Sequence, residues 1–168
     1  MTYAIISIVA NEVSPSGCSG YTYAQYSYDP YLRAPFFQMS EQMVDLWSKN
    51  RGTHPAYPFL TGHGGANQVV INGYLGLRLV PDEKIHIDPN LPPQVPHVKY
   101  RTFYWRGWPI RASSNSTHTT LKRALDVVPL RTADPKFANT EITVQVGPDS
   151  NNTDYTLPAD GTPLVVSH

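Results

Sequence analysis

Residues 98–112 read VKYRTFYWRGWPIRA, and this stretch indicates the class of fold. Its side chains alternate between two sides of an extended strand, with Val98, Tyr100, Thr102 and Tyr104 on one side and Lys99, Arg101, Phe103 and Trp105 on the other. Such alternation has the period of a β-strand rather than that of a helix. Arg106-Gly107 can form a two-residue turn, so the stretch predicts a β-hairpin that continues over residues 108–112.

Further short strands are expected towards the C-terminus. Residues 141–146 alternate in the same way, and Asp160-Gly161 is a turn signal before the apolar residues 164–166. Several short strands separated by turns are typical of a small antiparallel β-sandwich. The polar residues 147–162 are expected to be irregular.

The first half of the chain has a different pattern. Residues 3–12 are apolar nearly all round, which fits a buried helix or a buried strand without deciding between them. Residues 35–50 place apolar side chains at helical spacing after Pro35, and residues 66–77 do so directly after two glycines. The chain is therefore expected to change from helices to strands near residue 80, which gives a mixed α and β fold.

The composition excludes several classes of function. Lysine plus arginine equals aspartate plus glutamate, at 13 each, so the basic excess typical of nucleic-acid-binding proteins is absent. No apolar run approaches the roughly 20 residues of a membrane helix. The histidines form neither an HExxH pair nor a cluster with the single Cys18, and the sequence contains no G-x-S-x-G elbow. We therefore expect no metal, cofactor, nucleic acid or membrane as a partner.

Glu12 is the first candidate functional residue. It ends an apolar segment, and if that segment is a helix, the helix dipole disfavours a carboxylate there. Because no cation lies nearby in the sequence, an uncompensated acid at this point would be a good proton acceptor. An ordinary solvated helix end is the better explanation when Glu12 is taken alone.

The glycine-rich segment 53–65, THPAYPFLTGHGG, is the second candidate. A helix that begins after Gly65 would leave N–H groups free to donate to a sugar hydroxyl or an anion, and glycines let a backbone approach a ligand closely. An ordinary helix-entry loop is the alternative. The glycines match neither the Walker A form nor the dinucleotide-binding form.

Three segments together resemble the fungal acid trehalases of glycoside hydrolase family 65. They are residues 7–47, which begin SIVANEVSPSGCSG, residues 52–79, which begin GTHPAYPFLTGHGG, and residues 87–112, IDPNLPPQVPHVKYRTFYWRGWPIRA. The resemblance implies that residues 1–80 are the last helices of an (α/α)6 catalytic barrel. Residues 81–168 would form a C-terminal β-sandwich domain with a partly irregular tail. The abrupt apolar start of the chain fits a missing N-terminal part of the same polypeptide.

The resemblance also implies a reaction. The family hydrolyses α,α-trehalose to two glucose molecules with inversion, without a cofactor, and its general acid lies upstream of any residue in this chain. Glu12 is implied as the base, because related phosphorolytic enzymes carry hydroxyl residues there for phosphate, which a carboxylate would repel. The residues that would line the same substrate pocket are Ser14, Ser16, Thr61, Gly62, His63, Gly64 and Gly65. His63 would bond a sugar hydroxyl or, alternatively, cap the loop.

Two alternatives stay open. The chain can be a noncatalytic module, either a truncated product or a carbohydrate-binding domain, or a phosphorylase relative that acts on another α-glucoside. The resemblance implies an extracellular, cell-wall or vacuolar parent enzyme, and N-glycosylation triplets begin at Asn115 and Asn151. Without the general acid, the chain alone is expected to be inactive and poorly soluble, since a partial barrel exposes apolar helix faces.

Overall fold

The structure, a computed structural model, describes residues 2–14 and 16–167 of the chain. The first half contains three α-helices and a π-helix that continues the third: α1 (Thr2–Val13), α2 (Cys18–Tyr28), α3 (Leu60–Gln68) and the π-helix (Val69–Tyr74). The strands that follow confirm the mixed α and β class, and the change of character near residue 80 agrees with the patterning. Among the described residues, no helix is long and apolar enough to cross a membrane.

Helix α1 packs through small and polar side chains rather than through its large apolar ones. Its buried residues, Ala4, Ser7 and Asn11, fall on one helical stripe and face α2 and the π-helix. Ser7 donates a 2.6 Å hydrogen bond to the carbonyl oxygen of Gly20 in α2. Ile5 and Val9 lie half exposed on the outer side. Residues 3–12 are thus helical, and the buried side of this helix carries small and polar side chains.

The helix predicted over residues 35–50 is wrong. The chain instead forms a small hairpin of β1 (Leu32–Arg33) and β2 (Gln38–Met39), then a loop and a short 3₁₀ helix (Trp47–Lys49). The Arg33 guanidinium explains the difference, because it donates to the carbonyl oxygens of Gln42 and Met43 and pairs with the Asp45 carboxylate. These contacts satisfy backbone acceptors that a helix would otherwise bond internally.

The second half contains two sheets. Its strands are β3 (Lys84–Ile87), β4 (His97–Lys99), β5 (Phe103–Trp105), β6 (Trp108–Asn115), β7 (His118–Arg123), β8 (Ile142–Val146), β9 (Thr153–Leu157) and β10 (Leu164–Ser167). One sheet has the order β10-β7-β6-β4, with β5 also paired to β6, and the other has the order β3-β8-β9. The inner faces of both sheets contribute to one hydrophobic core, which also includes Ala4, Val69 and Leu75 from the helical half.

The hairpin predicted at Arg106-Gly107 is confirmed. Trp105 pairs with Trp108, and the two turn residues have φ angles of 44° and 80°, the pair of positive values that a type I′ turn needs. Glycine is required at 107 also for space, because a Cβ there would lie 2.5 Å from the Cα of Ala133.

Two expectations for the strands need correction. The sheets are not purely antiparallel, because β3 and β8 pair in parallel. Strands β4 to β7 lie between them in sequence, so the connection is long enough for a parallel crossover. The polar stretch 147–162 contains strand β9, whose last residue, Leu157, is fully buried.

Asn11 and Asn90 join the helical half to the strand half. The Asn11 amide donates to the carbonyl oxygens of Gly73 and Asn90, at 2.7 Å each. The Asn90 amide donates in return to the carbonyl oxygens of Asn11 and Ser14, also at 2.7 Å. These four bonds tie the end of α1 to the π-helix and to the segment that follows β3, and we call them the asparagine joint.

We predict that Asn90→Ala destabilises the protein. It removes both donors to the end of α1 and leaves two partly buried carbonyl groups without them, which should lower the free energy of unfolding by about 2 kcal/mol. Urea unfolding of the full-length protein measures the change. Asn139→Ala, at an exposed position, is the matched control and should change stability little. Equal effects of the two substitutions would contradict the role of the joint.

Candidate functional site

Glu12 lies in the last turn of α1 and is bound to a cation. Its Oε2 atom is 2.7 Å from Nη2 of Arg78, a partner 66 residues further along the chain. No residue near Glu12 in the sequence indicates this partner, so the expectation of an uncompensated carboxylate is corrected. The Glu12 and Arg78 side chains are 49% and 32% exposed, and such a solvated pair adds little to stability.

Arg78 is fixed by the backbone around the π-helix. Its Nη1 atom donates to the carbonyl oxygens of Asn72 and Leu77. The Asn72 side chain also donates to the Leu77 carbonyl, at 2.9 Å. Because one side of the guanidinium is anchored in this way, the other side presents Nη2 to Glu12 in a defined direction. The Glu12 Oε1 atom makes no hydrogen bond to the described residues.

Two adjacent cavities share Glu12 and Asp88. The first, of about 290 Å³, also includes Arg78, His86 and Asp149 in its wall. The second, of about 490 Å³, is lined also by Ser14, Ser16 and Asn90. Glu12, Ser14 and Ser16 therefore line one cavity. The two cavities together are lined by three carboxylates, one guanidinium and three serine hydroxyls, which suits binding of a polyhydroxyl molecule and proton transfer to a carboxylate.

Asp88 is a residue that sequence reasoning missed. Burial raises the pKa of its carboxyl, the charge of Arg78 works against this shift, and the charge of Glu12 adds to it. Asp88 follows directly after strand β3, and an acidic residue at the end of a strand is common enough to carry no functional signal in the sequence. No local signal connects it to Glu12, since the pair depends on the fold.

The segment Thr61–Gly65 is not a helix-entry loop. Helix α3 begins at Leu60, so Gly64 and Gly65 lie inside it, and their backbone amides belong to the helix rather than to a free donor cluster. His63 Nε2 accepts a 3.1 Å hydrogen bond from the backbone N–H of Met39. Gly62 is buried against Met39 as well.

The expectation of a single pocket is also corrected. Thr61, Gly64 and Gly65 line a separate cavity of about 580 Å³ together with Thr2 and Ile5. Ile5 and Glu12 are seven residues apart on α1, about 10 Å along its axis. Glu12 and the Thr61–Gly65 segment therefore lie at opposite ends of this helix and line different cavities.

Metal ligation has no geometric support in the part of the chain that the structure describes. It contains no group of three or more His, Cys, Asp or Glu side chains that could hold a metal ion.

The sequence is similar to fungal trehalases over nearly all of its length. It is 70% identical over 166 residues to "Acid trehalase" of Emericella nidulans, covering 99% of this chain and 16% of that protein. It is 68% identical over 161 residues to "Cell wall acid trehalase" of Arthroderma benhamiae, covering 96% and 15%. The chain thus spans about one sixth of the length of these curated relatives.

A solved structure shares the fold. The chain matches "Putative kojibiose phosphorylase from human microbiome" with a TM-score of 0.61 and 11% identity, covering 99% of this chain and 17% of that one. At this identity the likeness concerns the fold alone.

Residues 77–137 match the family described as "Glycosyl hydrolase family 65, C-terminal domain". The predicted resemblance is confirmed: the chain is a homologue of fungal acid trehalases over nearly its whole length, and residues 77–137 match the C-terminal domain of glycosyl hydrolase family 65.

Proposed function

We propose that this chain is the C-terminal part of an enzyme that hydrolyses α,α-trehalose to two glucose molecules. One observation carries the proposal: the Glu12 carboxylate lines a cavity beside the hydroxyls of Ser14 and Ser16. The chain that contains this cavity is 70% identical to a protein named "Acid trehalase". The general acid would lie in a part of the polypeptide outside this chain. No cofactor is needed for this chemistry, because proton transfer and water suffice.

The proposed mechanism is inverting hydrolysis. The missing acid gives a proton to the glycosidic oxygen as its bond to the anomeric carbon breaks, and Glu12 accepts a proton from the water that attacks this carbon from the opposite face. The two carboxyl groups would stand about 6.5–9.5 Å apart to leave room for the water. The Oε1 atom of Glu12 is the proposed proton acceptor, because Arg78 holds only Oε2.

Neighbouring groups support this role for Glu12. Arg78 fixes the orientation of the carboxylate, and the hydroxyls of Ser14 and Ser16 line the cavity where they can bond a sugar. Thr61, Gly62, His63, Gly64 and Gly65 remain predicted substrate contacts only. Thr61, Gly64 and Gly65 line the separate cavity beside α3, so any contact that they make with the substrate would occur in that cavity.

The finer description of the fold is also a proposal. Helices α1 to α3 would belong to the end of an (α/α)6 barrel, and the two sheets after residue 80 would form a C-terminal β-sandwich domain over residues 81–168. The exposed apolar side chains of α1, among them Ile5 and Val9, fit a helix that packs against further helices. The names of the relatives, which include "Cell wall" and "Periplasmic", support an extracellular or cell-wall enzyme.

Phosphorolysis is the second candidate, favoured by the fold shared with a putative phosphorylase. It conflicts with the charges around Glu12, because the first cavity has three carboxylates against one arginine and the second has two carboxylates and no basic residue, so both would repel a phosphate dianion. A noncatalytic role predicts that Glu12 can be replaced without loss of turnover.

We predict that Glu12→Gln in the full-length protein lowers kcat for trehalose by about 10²–10⁴-fold, because a general base typically contributes this much. Glucose release with and without added phosphate measures the effect and separates hydrolysis from phosphorolysis. Glu141→Gln, at an exposed residue before β8, is the matched control and should retain full activity. A loss below about tenfold would remove Glu12 from the role of base.

We also predict that Arg78→Met lowers kcat by about 10²-fold with little change in KM, because a misplaced catalytic group costs turnover rather than binding. Arg78→Lys keeps the charge and should recover part of the rate. Arg101→Met, at an exposed position, is the control. If Arg78→Met raised KM and left kcat unchanged, Arg78 would be a substrate-binding residue instead.

A further inference from the structure

The outer face of the sheet with the order β10-β7-β6-β4 carries basic side chains without matching acids. None of these four strands contains an aspartate or a glutamate, although the chain as a whole has no net charge. Residues at alternate positions, such as Ala112 and Leu121, are buried in the core, so the side chains between them point outward. By the register of the strand pairs, five outward side chains are neighbours: Lys99, Arg111, Ser113, Thr120 and Lys122.

The two lysines of this face have no counter-ion. Neither Lys99 nor Lys122 forms an ion pair with a carboxylate in residues 2–14 and 16–167. Arg111 differs, because its two terminal nitrogens each lie 2.8 Å from a carboxylate oxygen of Asp126. The charge of Lys122 also acts on Asp126, yet that carboxylate is already bound by Arg111. Three cations thus face one acid, which leaves two positive charges to attract an anion.

A groove of about 570 Å³ lies over this face. All five side chains line it together with His97, and no acidic side chain among the described residues does so. Lys99 and Lys122 are exposed and lie two strands apart, with roughly 12 Å between their Cα atoms. Ser113 and Thr120 continue the row of side chains from Lys99 towards Lys122. A ligand that lies across the strands can therefore meet both charges and both hydroxyls at once.

We propose that this groove binds an anionic polysaccharide. Acidic groups repeated along such a chain would pair with Lys99 and Lys122, and its hydroxyls would exchange hydrogen bonds with Ser113 and Thr120. A polymer suits two exposed lysines, because each solvated ion pair contributes little and repeated contacts add up. The choice of a polysaccharide rests on the proposed extracellular or cell-wall location, and the groove is separate from the cavities at Glu12.

Two other kinds of polyanion fit this groove less well. Single-stranded nucleic acids bind through bases stacked on aromatic side chains, and no Phe, Tyr or Trp that the structure describes lines the groove. Protein partners usually need an apolar centre in the interface. Within the described part of the chain, the only apolar residues in this wall are Ala112 and Pro163.

The test measures binding of the full-length protein to dextran sulfate, with uncharged dextran as the matched polymer. We expect dextran sulfate to bind with a Kd that rises with salt concentration, because salt screens exposed charges, and we expect dextran not to bind. Absence of dextran sulfate binding, or equal binding of dextran, would overturn the proposal. Tighter binding of polyglutamate or of a single-stranded oligonucleotide, at the same salt concentration, would overturn the assignment to a polysaccharide.

Variants locate the site. The double substitution Lys99→Gln with Lys122→Gln should raise the Kd for dextran sulfate by about tenfold or more, because it removes both uncompensated charges. Lys49→Gln with Arg131→Gln changes the net charge equally at exposed positions elsewhere and should leave the Kd unchanged. An equal change of Kd in the two double variants, or an unchanged Kd in the first, would contradict the groove.

Binding and hydrolysis can fail independently of each other. Lys99→Gln with Lys122→Gln should hydrolyse trehalose at the unchanged rate, and Glu12→Gln should bind dextran sulfate with the unchanged Kd. A parallel loss of hydrolysis in the lysine variant would overturn the assignment of a surface separate from the site at Glu12.

Discussion

The asparagine joint is the constraint on which the candidate site depends. Asn11 precedes Glu12 in sequence, and Asn90 lies two residues after Asp88, so the four hydrogen bonds from the two amides to backbone carbonyl oxygens bring both acids to one place. Amide side chains suit this task because each NH2 group can donate to two carbonyl oxygens at once, whereas an apolar contact fixes no register. The backbone position of Glu12 is therefore set by its neighbour, and the ion pair with Arg78 orients only the carboxylate.

The backbone after the π-helix supplies the second half of the site. Gly76 has a φ of 66°, and a Cβ there would lie 2.2 Å from the carbonyl oxygen of Asp88, so only glycine lets the two segments pass this closely. The Asp88 N–H donates to the Gly76 carbonyl at 3.2 Å, and two residues later the Arg78 N–H donates to the His86 carbonyl at 3.0 Å. This pairing places the Arg78 side chain between Glu12 and the start of the strand half.

The sequence predicts the local features well and the long-range ones poorly. The hairpin around Arg106-Gly107 is predictable because alternation and turn chemistry act over a few residues. Residues 35–50 have the spacing of a helix but do not form one, because Arg33 binds their backbone carbonyl groups. Such contacts leave no periodic pattern in the sequence. Gly62, Gly64 and Gly65 indicate a loop by propensity, yet tertiary packing keeps them helical. Glu12, Ser14 and Ser16 were predictable as one group because they are close in sequence, whereas Arg78 and Asp88 join them only through the fold.

Two arginines show how burial changes what a guanidinium requires. Arg78 is partly solvated, so its pair with Glu12 can orient a carboxylate without becoming indispensable to the fold. Arg123 stands on the Trp108 ring inside the strand half, where water cannot screen it. An apolar residue of similar size would fill this position without the cost of a buried charge. The Trp108 ring and the Phe137 carbonyl group are the contacts that offset part of this cost.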